Sequence, residues 1–339
     1  MCLVFTLVYS LSALCKVSSS FPMLLLGRVL GGLGTSLLWT TWESWYIHHH
    51  CVSLRMPRDW LTSTFTAITF YNGLLAILAG IVSGFLAEDL ELGPLSPFLL
   101  AVPFLVFSAI ALISWEENYG DRDGEQTGSA VDGLRAILED RAVFLLGGIQ
   151  TCAESSMYIF VFLWTPVLDT EGEGAMSLGW VFSCFMLSMM VGAQVTKLLT
   201  TAGVPQQKIL KQCMIIMTVS MGISAVSTSS HLCPDPHDCR QISFAAFLLM
   251  EAGVGAYLPV ISRLRSLIIP ESCRASVMSW YRLPLNVVTC VTILANNLHF
   301  INVNKSILFA ICSLSCSIGV PLINQMDRSS MNLVSLDLK

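Results

Sequence analysis

Charge is scarce in this sequence. Charged residues fill 12% of its 339 positions, about half the roughly 25% of a soluble domain. With hydrophobic residues at 54% and a mean hydropathy of +0.69, a water-soluble enzyme is excluded. Basic residues are scarce too, since 18 Lys and Arg against 23 Asp and Glu leave a net charge of -5. No polybasic face exists to neutralise a phosphate backbone, so nucleic acid is excluded as a partner. The chain also lacks a nucleophile constellation, a nucleotide-binding loop and an HExxH pattern. No enzymatic activity, cofactor or resident metal is therefore expected. The opening apolar stretch has neither a basic leader nor a small-residue cleavage site, which separates it from a secretory signal.

What the chain has instead is long apolar runs. Ten are of bilayer-spanning length or close to it: 1–16, 22–47, 62–86, 95–115, 142–168, 176–197, 209–229, 241–262, 276–298 and 306–324. Lipid offers no partner to a bare peptide group, so each run must be helical. The expected class is an all-α polytopic membrane protein, with lipid as its surroundings.

Lys and Arg are retained on the cytoplasmic side of a membrane. With residue 1 inside, only Lys16, Arg240 and Lys305 of the 18 basic residues fall outside, and Arg28 and Arg282 fall within the membrane. Both termini are then cytoplasmic. The stretches Glu88, Asp89, Glu91 and Asp169, Glu171, Glu173 are acidic and lie outside. The longest polar segment, 116–141, lies inside and reads as a flexible linker leading into a short surface helix with Val131, Leu134, Ile137 and Leu138 at helical spacing. It divides the chain into an N-terminal bundle of four spans, 1–115, and a six-span bundle, 142–327, followed by a tail, 328–339. Many transporters are built from two related six-helix halves. Four plus six therefore suggests such a protein without its first two helices.

Ionisable groups inside hydrocarbon cost several kcal/mol unless they face a partner or water, so each is a candidate for function. Five qualify: Arg28 and Glu43 in the second run, Glu154 in the fifth, Glu251 in the eighth and Arg282 in the ninth.

The motifs around these residues resemble a known family. Gly27-Arg28-Val29-Leu30-Gly31-Gly32, inside Leu26 to Gly34, is similar to the Arg-x-x-x-Gly motif of the major facilitator superfamily. Pro270-Glu271-Ser272-Cys273-Arg274 is a second feature of that superfamily. The segments Trp42-Glu43-Ser44-Trp45-Tyr46, Glu154-Ser155-Ser156-Met157-Tyr158 and Ser279-Trp280-Tyr281-Arg282-Leu283-Pro284 resemble the eukaryotic molybdate-anion transporters. The resemblance implies a major facilitator fold in the cell membrane, an oxyanion substrate and transport by alternating access. It also places the second, fifth and eighth runs on the family's central cavity, and with them Arg28, Glu43, Glu154 and Glu251. The proline of the superfamily's drug antiporters is missing from Asn72-Gly73 through Gly84, which argues against drug transport.

A tetrahedral oxyanion needs donors, and the planar fork of Arg suits it. Arg28 is the candidate ligand, against a purely structural pairing. Three buried carboxylates beside two arginines cannot all pair one to one, so at least one is expected to hold a proton. Glu154 and Glu251 are candidates for the substrate site and for proton coupling, against neutral structural hydrogen bonds. Glu43 and Arg282 share a depth near the inner surface and are expected to form a gate. The loop with His231, Cys233, His237 and Cys239 allows a Cys233 to Cys239 disulfide or a zinc site, the disulfide preferred. His48, His49 and His50 read as a solvated helix end. Transport of another anion or a sugar, or a membrane protein that transports nothing, remain the alternatives.

Overall fold

A computed structural model describes residues 1–57, 60–93, 95–115, 130–168, 178–229, 232–233, 235–297 and 304–337. Among these residues the regular structure is entirely helical. The helices are α1 (Cys2–Cys15), α2 (Phe21–His48), α3 (Trp60–Gly84), α4 (Ser96–Ile113), α5 (Ala130–Glu139), α6 (Arg141–Leu168), α7 (Leu178–Thr201), α8 (Gln206–Ser227), α9 (Pro236–Ile268), α10 (Arg274–Asn297) and α11 (Lys305–Asp337). Eight of them, α2 to α4, α6 to α9 and α11, are long and apolar enough to cross a membrane. The other two expected spans correspond to α1, only 14 residues long, and to α10, whose 24 residues include Arg274, Arg282 and Asn286. At 1.5 Å per residue α10 reaches about 36 Å, enough to cross a bilayer.

Proline opens α2 and α9 within their first turns, where a missing N–H costs nothing. At α9 the Asp235 carboxylate also accepts the His237 N–H at 2.9 Å. Helices α4, α6, α9, α10 and α11 carry internal prolines, of which Pro259 in α9 is buried against neighbouring helices.

One large core joins residues of α6 to α11, with Phe160, Phe185, Phe247 and Phe309 in edge-to-face or tilted contact. Helix α8 packs between α9 and α11, α6 lies against α10 and α11, and α7 against α9. Hydroxyls reinforce these seams: Ser220 Oγ donates to Ala246 O at 2.6 Å, and Ser156 Oγ to Cys312 O at 3.3 Å. The tightest approach is between α7 and α9. A Cβ on Gly255 would sit 1.9 Å from Met189 O, and one on Gly192 2.0 Å from Ala252 O. Ser188 Oγ and Thr196 Oγ1 donate across the same seam, to Leu248 O and Ala256 O.

In the N-terminal part, α1 packs on α2 and α4, whereas α3 lies mainly against α7 and α9. Gly73 and Gly80 of α3 meet Met190 and Phe182 of α7, so its small residues serve a helix contact. Helix α5 docks on α10, where Trp280 Nε1 donates to Ala130 O at 2.7 Å. Linker residues 116–129 and the acidic residues Asp169, Glu171 and Glu173 lie outside the described residues, as do the side chains of Glu88 and Asp89 and the tail residues 338–339.

Candidate functional site

Several of the charged residues meet near the end of α2. Helix α9 was expected to stop near residue 262, leaving Arg263 and Arg265 in the cytoplasm. It runs six residues further, to Ile268, because the apolar positions Ile261, Leu264 and Ile268 keep helical spacing until Pro270. Arg274 caps this end by donating to Ile269 O at 3.2 Å and Ser266 O at 3.5 Å. Arg265 therefore lies inside the protein, 5% exposed.

Around it stand acceptors from three helices. Arg265 Nη2 donates to Glu43 Oε2 of α2 at 2.9 Å and to Ser262 Oγ of α9 at 3.0 Å. Nη1 donates to Gln150 Oε1 of α6 at 3.3 Å and lies 3.9 Å from Glu154 Oε1, one turn further along the same helix. Ser262 Oγ donates to Glu43 Oε2 at 3.2 Å, and Tyr257 Oη to Glu154 Oε1 at 3.5 Å. Glu43 and Glu154 are each 7% exposed. An ion pair this dry is held by its hydrogen bonds, and separating it strands charge in a medium that solvates it poorly.

Glu43 thus pairs with Arg265, a residue the hydropathy pattern had assigned to a loop. Arg282 of α10 donates from Nη1 to Tyr158 Oη at 3.2 Å. A signal for Arg265 existed in the sequence: Leu267, Ile268 and Ile269 prolong the apolar pattern past it up to Pro270.

A second layer sits beyond the pair. His48 Nδ1 lies 3.0 Å from Glu271 Oε1, which also pairs with Arg274 Nη1 at 3.3 Å. Ser44 Oγ approaches Met278 Sδ at 3.6 Å. The histidines are not a solvated helix end. His50 is buried, with Nε2 3.1 Å from Pro57 O, and His49 stacks on Trp45. His49 and His50 open a π-helical turn, His49–Ser53, that continues α2.

Arg28 and Glu251 lie elsewhere. Arg28 is about 22 Å along α2 from Glu43, and Glu251 about 21 Å along α9 from Arg265. Arg28 lines a separate cavity of about 300 Å³ between α1, α2 and α4, together with Lys16, Ser12 and Thr35. Lys16 Nζ lies 3.5 Å over the Phe98 ring there. Glu251 is buried and has no hydrogen-bond or ion-pair partner among the described residues. The structure thus brings Glu43 and Glu154 together through Arg265, and leaves Arg28 and Glu251 apart from them. At the opposite end of α9, Cys233 and Cys239 form a disulfide, while His231 lies outside the described residues.

The chain is 42% identical over 320 residues to a molybdate-anion transporter of Takifugu rubripes and 42% identical over 286 residues to one of Xenopus laevis. These alignments take in 87% and 84% of this chain, and it spans 65% and 62% of the length of those relatives. Among solved structures, an E. coli fucose:proton symporter superposes with a TM-score of 0.61 at 15% identity, covering 96% of this chain and 83% of that one. A major facilitator superfamily transporter in the outward conformation gives a TM-score of 0.65, also at 15% identity, covering 96% of this chain and 82% of that one. At that identity the likeness establishes the fold alone. A family profile described as sugar transporters, 12 TM, matches residues 1–264. The chain is thus an all-α membrane protein of the major facilitator superfamily, and it belongs to this sugar-transporter family of 12-TM proteins.

Proposed function

We propose that this chain moves a small oxyanion, molybdate being the first candidate, across the cell membrane by alternating access. The observation that carries the reading is the buried Glu43–Arg265 pair, 2.9 Å apart, which joins α2 to α9. Such a pair can be undone and remade only if helices from the two parts of the chain separate, which is the movement alternating access requires. The molybdate-anion transporter relatives support the substrate. Residues 1–115 form one rocking unit and 142–327 the other, joined by the linker 116–141. Both termini, the linker and the Glu43–Arg265 end face the cytoplasm, in keeping with the distribution of Lys and Arg. Arg282 is a further gate residue on this side. Arg28, beside Lys16, receives the anion toward the outer side, and the carboxyl of Glu251, unpartnered among the described residues, carries a coupled proton, with Glu154 as the second proton carrier.

The family description as sugar transporters favours one other reading, transport of a neutral sugar. Uptake by cells expressing this chain separates the two. Labelled molybdate should accumulate, in competition with unlabelled molybdate and not with hexoses or fucose. Arg28→Ala should remove most of that uptake per molecule at the surface, and Arg28→Lys only part of it, because lysine keeps charge without the fork. Uptake of sugar without molybdate would overturn the anion reading, and normal specific uptake by Arg28→Ala would remove that residue from the path.

A further inference from the structure

We propose that Arg265 is itself an oxyanion ligand, and that the Glu43 carboxylate holds the anion's place on it while α2 and α9 are clasped. The inference rests on the anion-transport reading and names the group that grips the substrate.

A guanidinium offers five N–H donors in a fixed plane. Here Nη1 faces Gln150 and Glu154, and Nη2 is shared between Glu43 Oε2 and Ser262. Two atoms of this buried cluster have no hydrogen-bond partner among the described residues: Arg265 Nε and Glu43 Oε1. They are the two halves of a missing contact. The Nε and Nη2 edge of arginine is the fork that holds a carboxylate or tetrahedral oxyanion by two parallel bonds. Glu43 uses one half of it.

The geometry also divides the ligands by where they are anchored. Gln150, Glu154 and Ser262 sit on α6 and α9, within the same packed core as Arg265. Glu43 alone among the ligands reaches in from α2. When α2 withdraws, the Nε and Nη2 edge loses its carboxylate, and the Ser262 hydroxyl loses the oxygen it now donates to. A guanidinium and a hydroxyl then point at one vacated place. A buried cation that loses its nearer carboxylate and keeps only Glu154 at 3.9 Å is left poorly compensated, and an oxyanion with two oxygens on that edge replaces what α2 removed. A neutral sugar supplies hydroxyls but no charge. Glu154, 3.9 Å away, opposes the anion unless it carries a proton, so each anion bound there favours one proton on Glu154.

Glu43 and the anion are therefore competitors, and binding draws the population toward the unclasped state. The test is binding of labelled molybdate to the chain in lipid nanodiscs, measured by equilibrium dialysis for the parent, Glu43→Gln and Arg265→Lys, with folding checked by size-exclusion chromatography. Removing the competitor in Glu43→Gln should tighten binding about tenfold, as when a locked majority state is released. Arg265→Lys should lose binding. The gain in Glu43→Gln cannot come from misfolding. Unchanged or weaker binding by folded Glu43→Gln, or intact binding by Arg265→Lys, overturns this assignment and leaves the transport reading standing. Absence of molybdate binding in every folded form overturns both.

Discussion

A guanidinium enclosed by three helices is tolerated only while its acceptors stay in place, and Arg265 has drawn its acceptors from both parts of the chain. Glu43→Ala leaves that cation with Gln150, Ser262 and a carboxylate 3.9 Å away. Breaking a buried pair on one side costs about 3–5 kcal/mol. Thermal unfolding in detergent should register this loss in Glu43→Ala. The double variant Glu43→Ala/Arg265→Ala should lie closer to the parent than the sum of its single changes, since the charges of the 2.9 Å pair are removed together and only the longer Glu154 contact is lost besides. Strict additivity would mean that the two residues do not act as a pair. Arg28 gives the contrast at the same scale. It lines a cavity and takes no part in the clasp, so its replacement should affect uptake and leave the unfolding midpoint near the parent's.

Among the elements, α7 and α9 approach so closely that backbone meets backbone. Gly255 lies with its missing Cβ 1.9 Å from Met189 O, and carbonyl oxygen cannot yield as a flexible side chain does. Gly255→Val should therefore push the helices apart and remove most folded protein from the membrane fraction, as read by size-exclusion chromatography of the solubilised chain. Recovery of parent-like amounts would show that the seam can open without penalty. The α9 boundary also explains what the amino-acid sequence reveals and what it hides. Helices α2, α4, α6 and α8 begin and end within about three residues of the apolar runs that announce them, because lipid forces any such run into a helix. Arg265 stayed hidden because hydropathy counts an arginine as water-facing whatever its partners. Its acceptors lie 115 and 222 positions away in the chain, at Gln150 and Glu43, and only folding brings them near. His48 to His50 were obscured for the same reason: Glu271, Pro57 and Trp45 contact polar rings that a linear reading leaves in solvent. Glu43, Glu154 and Glu251 were legible as candidates because an ionisable group in an apolar run is rare enough to stand out alone.

The whole molecule is described by two quantities, its direction in the membrane and the movement of its parts. The proposed direction rests on the Lys and Arg bias, which would leave Lys16, Arg240 and Lys305 outside. In intact cells a membrane-impermeant thiol reagent should fail to modify Asp123→Cys and should modify Glu171→Cys. The opposite pattern would invert the topology. Movement is tested by preventing it. The contacts between His48 and Glu271 and between Glu43 and Arg265 join α2 to α9 and the turn that follows it, and the proposed transport requires them to part.

The most direct measurement is uptake of labelled molybdate by proteoliposomes containing His48→Cys/Glu271→Cys, before and after bridging with a short reducible bifunctional thiol reagent, with the parent chain treated in parallel. If the anion crosses by parting of α2 from the α9 to α10 corner, bridging stops uptake, reduction restores it, and the parent is unaffected. Uptake that continues at the parent's rate through the bridged protein would contradict alternating access at this gate.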